Sequence, residues 1–179
     1  FRSNYIIDDI DLSDLRKNIG YVSQNTFLFA DTIKNNLLHG SNKYKSDEDI
    51  VKACQLAESL DFIQKFPDQF NTMLEKEGAN LSGGQGQRLS LARTFLKDPD
   101  IYIFDEATSA LDSLTENKIM EHIDLLTQHG KTVIIISHKL STIKNADNIY
   151  VLNEGQIAEN GTHDELIHLN GIYKNLWQL

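Results

Sequence analysis

"IYIFDEATSALD" occupies Ile101 to Asp112, and it decides how the rest of the chain reads. Its first four residues are all β-branched or aromatic, the mark of a buried strand. Two carboxylates, Asp105 and Glu106, follow at the strand's C-terminal end, where open α/β sheets place their ligands. Side chains alternate along a strand, so the two point differently and can divide labour. Asp105 suits Mg²⁺, through water, because Mg²⁺ keeps much of its hydration shell. Glu106 suits a general base that orients and polarises an attacking water. A solvated acidic turn explains the pair equally well when it is taken alone.

Downstream, Asp112 to Gln128 has helical spacing, with Ile119, Met120, Ile123 and Leu126 on one side. "TVIII" (Thr132 to Ile136) is a second apolar strand. Strands alternating with helices imply a parallel sheet covered on both faces. His138 follows that second strand and would emerge at the same sheet edge as Asp105, able to bond a terminal phosphate or the attacking water. By itself a histidine there reads as an ordinary loop residue. "NIYVLNEGQIAENG" reads as a hairpin around Glu154-Gly155, and Thr162 with Glu165 as a capping box.

Upstream, "LSGGQGQRLSLAR" (Leu81 to Arg93) places two glycines before a helix running to Lys97 and stopped by Asp98-Pro99. Backbone N–H groups at such a helix start favour an anion. "SDEDIVKACQLAESL" is another helix, capped by Ser46, with Ile50, Ala53, Cys54, Ala57 and Leu60 on one face. Phe62, Ile63 and Phe66 extend an apolar face as far as Pro67. "NYII" and "IGYVSQ" read as short strands, the second ending at Gln24, whose amide oxygen can reach a metal or water. An exposed polar residue is the plainer reading of Gln24 in isolation. The stretch from about Phe27 to Lys97 is mostly helical, an insertion into the sheet.

"HGKTV" (His129 to Val133) mimics the tail of a phosphate-binding loop, G-x-x-x-x-G-K-[ST]. The first glycine would have to be residue 125, which is Leu125. The order is also reversed, since this Gly-Lys-Thr joins helix to strand; Gly130 reads as a helix C-cap.

The bulk numbers narrow the classes. The 179 residues suffice for one domain with a real core. A formal net charge of −9 argues against general nucleic-acid or anionic-membrane binding. The single cysteine, Cys54, excludes an internal disulfide and reads as a core thiol. The longest apolar runs fall well short of the roughly 18 residues that span a bilayer. His39, His122, His129, His163 and His168 show no metal-ligand spacing.

Taken in order, these pieces resemble the nucleotide-binding domain of ATP-binding cassette (ABC) transporters, most closely the exporter type. Gln24 matches the Q-loop, "LSGGQ" (Leu81, Ser82, Gly83, Gly84, Gln85) the signature, "IYIFDE" Walker B, "SALD" (Ser109 to Asp112) the D-loop, and His138 the switch histidine. Two positions depart from the pattern. Gly86 stands where a long polar residue is usual, at a helix-interior cost of about 1 kcal/mol relative to alanine that would loosen the first turn. Lys76 stands where a glutamate is usual in the loop before the signature.

The resemblance implies an α/β fold: a P-loop NTPase (RecA-like) parallel sheet core with an inserted α-helical signature subdomain. Residues 1–26 would end an N-terminal β region at the Q-loop, 27–97 form the helical subdomain, and 98–179 the catalytic core and C-terminal region. None of the 23 residues before Gln24 forms a phosphate loop, and the chain opens at Phe1. The expectation is therefore an N-terminally truncated domain whose Walker A lies upstream.

The same resemblance implies ATP hydrolysis with ATP and Mg²⁺ as cofactors. Glu106 would be the base, Asp105 and Gln24 the Mg²⁺ partners, and His138 the γ-phosphate sensor. Leu81 through Gln85 would grip the nucleotide of a second, facing nucleotide-binding domain, with Asp112 at the dimer seam. The other partner would be a transmembrane domain, reached through Gln24 and "TFLF" (Thr26 to Phe29), which could equally be core; the location would be the cytoplasmic face of the cell membrane. No nucleic-acid partner is expected. A soluble DNA-maintenance relative is the rival within the superfamily, disfavoured because no heptads fill the stretch between Gln24 and Leu81. An inert fragment lacking Walker A is the rival outside enzymes.

Overall fold

The computed structural model describes residues 10–41 and 44–178. The strand expected at "NYII" lies outside the described residues. The chain divides into two compact units, one through Ile136 and one from Ser137.

The first unit is built on a parallel sheet of three strands in the order β1 (Ile19–Val22), β2 (Ile101–Asp105), β3 (Thr132–Ile136). Val22 is level with Phe104 and Ile135, and Asp105 with Ile136, so the strands end at one edge. A short helix, α1 (Leu12–Asn18), precedes β1 and is capped by the Asp11 carboxylate. Between β1 and β2 the chain forms α2 (Ile33–Leu38), α3 (Asp47–Leu56), α4 (Leu60–Lys65) and α5 (Gly83–Lys97). This is the helical stretch anticipated from sequence; α1 and α2 were not anticipated as helices.

Local chemistry explains the helix ends. Ser46 and Asp49 form a reciprocal capping box on α3, satisfying two otherwise orphaned N–H groups. Ser82 and Gln85 form another on α5, which starts two residues earlier than its periodicity suggests. Asp98, in a left-handed conformation, ends α5. After β2, α6 (Ser113–Gln128) is capped by Asp112 and closes in a Schellman motif: Gly130 N–H donates to Thr127 and Lys131 N–H to Leu126. The Gly-Lys-Thr that imitates a phosphate loop is thus a helix stop, with Gly130 at φ +80°.

One face of the sheet carries the core. Val22, Tyr102 and Phe104 are buried with Leu89, Leu91 and Ala92 of α5, Ile50 and Cys54 of α3, and Ile119 and Ile123 of α6. Gly20 belongs to this face for a steric reason. A Cβ there would lie 2.6 Å from Thr94 Cγ2 and 2.7 Å from Pro99 Cγ. On the other face, among the described residues, Tyr21, Ile134 and Ile136 are 54%, 46% and 50% exposed.

In the second unit, α7 (Leu140–Ile143) precedes an antiparallel hairpin of β4 (Ile149–Asn153) and β5 (Gln156–Gly161). Its turn, Glu154-Gly155, has both residues at positive φ, as a tight hairpin twist demands. Thr162 and Glu165 cap α8 (His163–Leu169) as a capping box. The Glu159 carboxylate accepts from the first N–H groups of α9 (Ile172–Trp177). Ile149, Val151, Leu166 and Tyr173 form this unit's own core.

Candidate functional site

The C-terminal edge of the sheet gathers the first unit's chemistry. Asp105 is the last residue of β2. Glu106 then turns left-handed, φ +49°, and its N–H donates to the Ile136 carbonyl at 2.9 Å. An L-residue in that region costs about 1 kcal/mol, a strain that tends to concentrate at working sites. The turn takes Glu106 out of the strand's alternation and separates it from Asp105.

Each carboxylate is held by a residue from the β1 segment. Gln24 Nε2 donates to Glu106 Oε2 at 2.6 Å. The Tyr21 hydroxyl donates to Asp105 Oδ2 at 2.9 Å. That bond, with some desolvation, raises the phenol above its ordinary value of 10.0, so it remains a donor at neutral pH. The structure therefore brings Gln24, Asp105 and Glu106 together, and adds Tyr21, which sequence alone showed only as a β-former.

The turn after Glu106 is clamped to α5 by the buried Gln87, a residue to which the sequence alone assigned no role. Its Oε1 accepts from Ala110 N at 3.0 Å, and its Nε2 donates to Ser109 Oγ at 3.1 Å and to the Glu106 carbonyl at 3.4 Å. Its adjacency to the glycine loop was the available signal, but its partners are some twenty residues away in sequence. Asp112 caps α6, accepting from Thr115 N at 3.0 Å and Thr115 Oγ1 at 2.8 Å. Those bonds hold its carboxyl below the usual 3.8.

The glycine loop separates into distinct parts. Ser82 and Gln85 bond each other's backbone, and Leu81 packs against the core. Gly84 is tightly placed, because a Cβ would meet the Ala110 carbonyl oxygen at 3.0 Å and push the turn back by a few tenths of an ångström. Gly83 is not, since its nearest neighbour would be Ala110 Cβ at 3.7 Å, an ordinary contact. Ser82 and Gly83 are exposed. Despite Gly86 the first turn is closed, with Gly86 N–H donating to Ser82 O at 3.0 Å. Gly86 lines a cavity of about 350 Å³ shared with Gln24, Thr26, Leu28, Gly78 and Ser82.

Arg93 and Asn36 brace the segment after Gln24. Arg93 donates to the carbonyls of Phe27 and Asn36, while buried Asn36 bonds Phe29 through both N–H and carbonyl. Leu28 is thereby core, and Phe27 and Phe29 are turned outward, their rings 4.9 Å apart edge to face. His138 lies two residues beyond β3 in sequence and belongs to the second unit.

Among the described residues no group of three or more His, Cys, Asp or Glu could cage a metal. The donors at the sheet edge are oxygen atoms of Asp105, Glu106 and Gln24. That set suits a hard cation completed by waters and phosphates, as Mg²⁺ is with nucleotides, and not zinc. Cys54 is buried, its thiol pushed up to about 11 by desolvation, and takes no part. Among the described residues no helix is long and apolar enough to cross a membrane.

Residues 3–109 match the family model described as ABC transporter. The chain is 46% identical over 173 residues to an ATP-dependent lipid A-core flippase of Haemophilus influenzae (strain 86-028NP), covering 97% of this chain and 29% of that protein. It is 48% identical over 170 residues to the protein of the same name from Pasteurella multocida (strain Pm70), covering 95% and 29%. Among solved structures it resembles a bacterial Atm1-family ABC exporter with ATP bound, at a TM-score of 0.92 and 38% identity, covering 96% of this chain and 30% of that one. The chain thus spans under a third of the length of these relatives.

Proposed function

The chain belongs to the ABC transporter family and has its ATPase-domain fold, and from that premise we propose that it is the ATPase engine of an exporter, hydrolysing ATP to ADP and phosphate. The observation that carries this reading is the paired carboxylates at the C-terminal edge of a parallel sheet, with the Gln24 amide 2.6 Å from Glu106. At that distance the amide nitrogen bonds the carboxylate directly, so once the amide is displaced the Glu106 carboxylate is free to take a proton from a reacting water.

In this mechanism Glu106 is the general base for the attacking water. Asp105 and Gln24 would hold Mg²⁺, which when bound neutralises charge developing on the β- and γ-phosphates. His138 bonds the γ-phosphate. The Leu81–Gln85 loop acts on the nucleotide of a second nucleotide-binding domain, facing this one head to tail. The exposed Ser82 and Gly83 support that direction. Among the described residues nothing packs closely enough on position 83 to require glycine there. A bare backbone there admits an outside phosphate to the helix N-terminus. Asp112, while capping α6, sits at the dimer seam. The outward Phe27 and Phe29 meet a transmembrane domain, and the domain works at the cytoplasmic face of the membrane. The division 1–26, 27–97 and 98–179 follows the same reading. The relatives' names make a lipid the first cargo class to assay.

Glu106→Gln in the complete transporter tests the assignment. It should abolish turnover while ATP still drives the domains together, because only the proton acceptor is lost. Hydrolysis at the parental rate would remove Glu106 from the role of base.

A further inference from the structure

Tyr21 and Gln24 hold the two carboxylates in different ways. Gln24 lies beyond the end of β1, whereas Tyr21 lies within it, paired in register with Ile103. Ile103 and Asp105 share a face of β2, so the phenol leans along the strand direction to reach the carboxylate. Among the described residues Tyr21 makes the one side-chain hydrogen bond recorded to the Asp105 carboxylate.

Among the described residues, packing does not account for this contact. Tyr21 is 54% exposed, while its neighbours Gly20 and Val22 supply the strand's core contacts. A half-exposed aromatic ring whose polar tip meets an acidic side chain at a sheet edge is placed by the bond it makes. A carboxylate offers about four lone-pair sites. The phenol uses one on Oδ2 and leaves Oδ1 free. The bond stops rotation of the carboxylate and donates a neutral hydrogen without adding a competing charge.

Resting on the proposed role of Asp105, we propose that Tyr21 is a positioning residue for the Mg²⁺ of the nucleotide, fixing the Asp105 carboxylate so that its free oxygen faces the metal's hydration shell. Partners that orient a metal-holding carboxylate change metal affinity about 10- to 100-fold when removed. The half-exposed setting places Tyr21 at the low end.

The test uses Tyr21→Phe in the complete transporter, with Mn²⁺ in place of Mg²⁺. Free Mn²⁺ is read by its electron paramagnetic resonance signal as it binds in the presence of ATP. The Phe variant keeps the ring and loses only the hydroxyl. Its Mn²⁺ affinity should fall about tenfold, and the Mg²⁺ half-saturation for hydrolysis should rise in parallel, with kcat at saturating Mg²⁺ falling by less. Asp105→Asn, measured alongside, should lose at least as much affinity. If Tyr21→Phe binds Mn²⁺ like the parent while Asp105→Asn does not, Tyr21 has no positioning role. If Asp105→Asn also binds like the parent, the assignment of Asp105 to the metal fails and the proposal with it. A fall in kcat with Mn²⁺ affinity intact would equally overturn it. An unchanged unfolding midpoint for Tyr21→Phe should accompany the affinity loss; a lowered midpoint with intact affinity would assign the hydroxyl to stability instead.

Discussion

Gly86→Ala should stabilise the protein, although the glycine sits in the first turns of the most function-laden helix among the described residues. Glycine in a helix interior is about 1 kcal/mol worse than alanine, because more backbone freedom is lost on folding. Whether that gain is realised depends on the space at Cβ. A Cβ at position 86 would lie 3.7 Å from Thr26 Cγ2 and 3.9 Å from Leu28 Cδ1, both ordinary van der Waals distances. The new methyl enters the cavity that Gly86 lines and gains up to about 0.8 kcal/mol of burial. We take about 1 kcal/mol as the net, since the cavity is open to solvent and the methyl fills it only in part. For a chain of this size that raises the thermal midpoint by about 2–4 °C. The comparison is Gly20→Ala, where the same methyl would sit 2.6 Å from Thr94 Cγ2 and 2.7 Å from Pro99 Cγ. Overpacking of that kind costs about 1–3 kcal/mol, so the midpoint should fall. Thermal unfolding followed by circular dichroism compares both variants with the parent. A lower midpoint for Gly86→Ala would refute the reasoning, as would a Gly20→Ala variant as stable as its parent.

Other consequences can be checked as directly. Asn36→Ala removes an amide that bonds Phe29 on both sides, Asp31, Thr32 and Arg93. Stranding those buried groups should cost about 2–3 kcal/mol, read as a lowered urea midpoint. Cys54, buried and pushed up to about 11, should not react with a thiol reagent at about pH 8 until urea exposes it. Asp49 and Asp112 are held below the usual 3.8 by the N–H groups they accept from, Ser46 and Thr115 respectively. A depressed folded value means their contribution is complete above the unfolded value and is lost as pH falls through the folded one. Urea midpoints should therefore drop on acidification below about pH 4, and less steeply in Asp49→Asn and Asp112→Asn.

The sequence by itself determined whatever depends on near neighbours along the chain. Ser46, Ser82 and Thr162 each find their capping partner three residues on, and Gly130 stops its helix through residues just before it; such bonds follow from backbone geometry alone. The order of short motifs from Gln24 to His138 was equally legible, because each is a contiguous string, and that order carried the family. What the string could not contain is how strands fall into register. Tyr21 meets Asp105 and Gln24 meets Glu106 across more than eighty residues, because parallel pairing of β1 with β2 ends both strands at one edge. Gln87 closes on Ser109 and Ala110 for a similar reason, the packing of α5 against the turn after β2. The glycines show the division most plainly. Gly20, Gly83, Gly84 and Gly86 are the same residue in sequence, yet among the described residues two have neighbours that crowd a Cβ and two do not. That distinction lies in a few tenths of an ångström to over an ångström between a missing Cβ and atoms supplied from elsewhere in the fold, and only tertiary packing sets it.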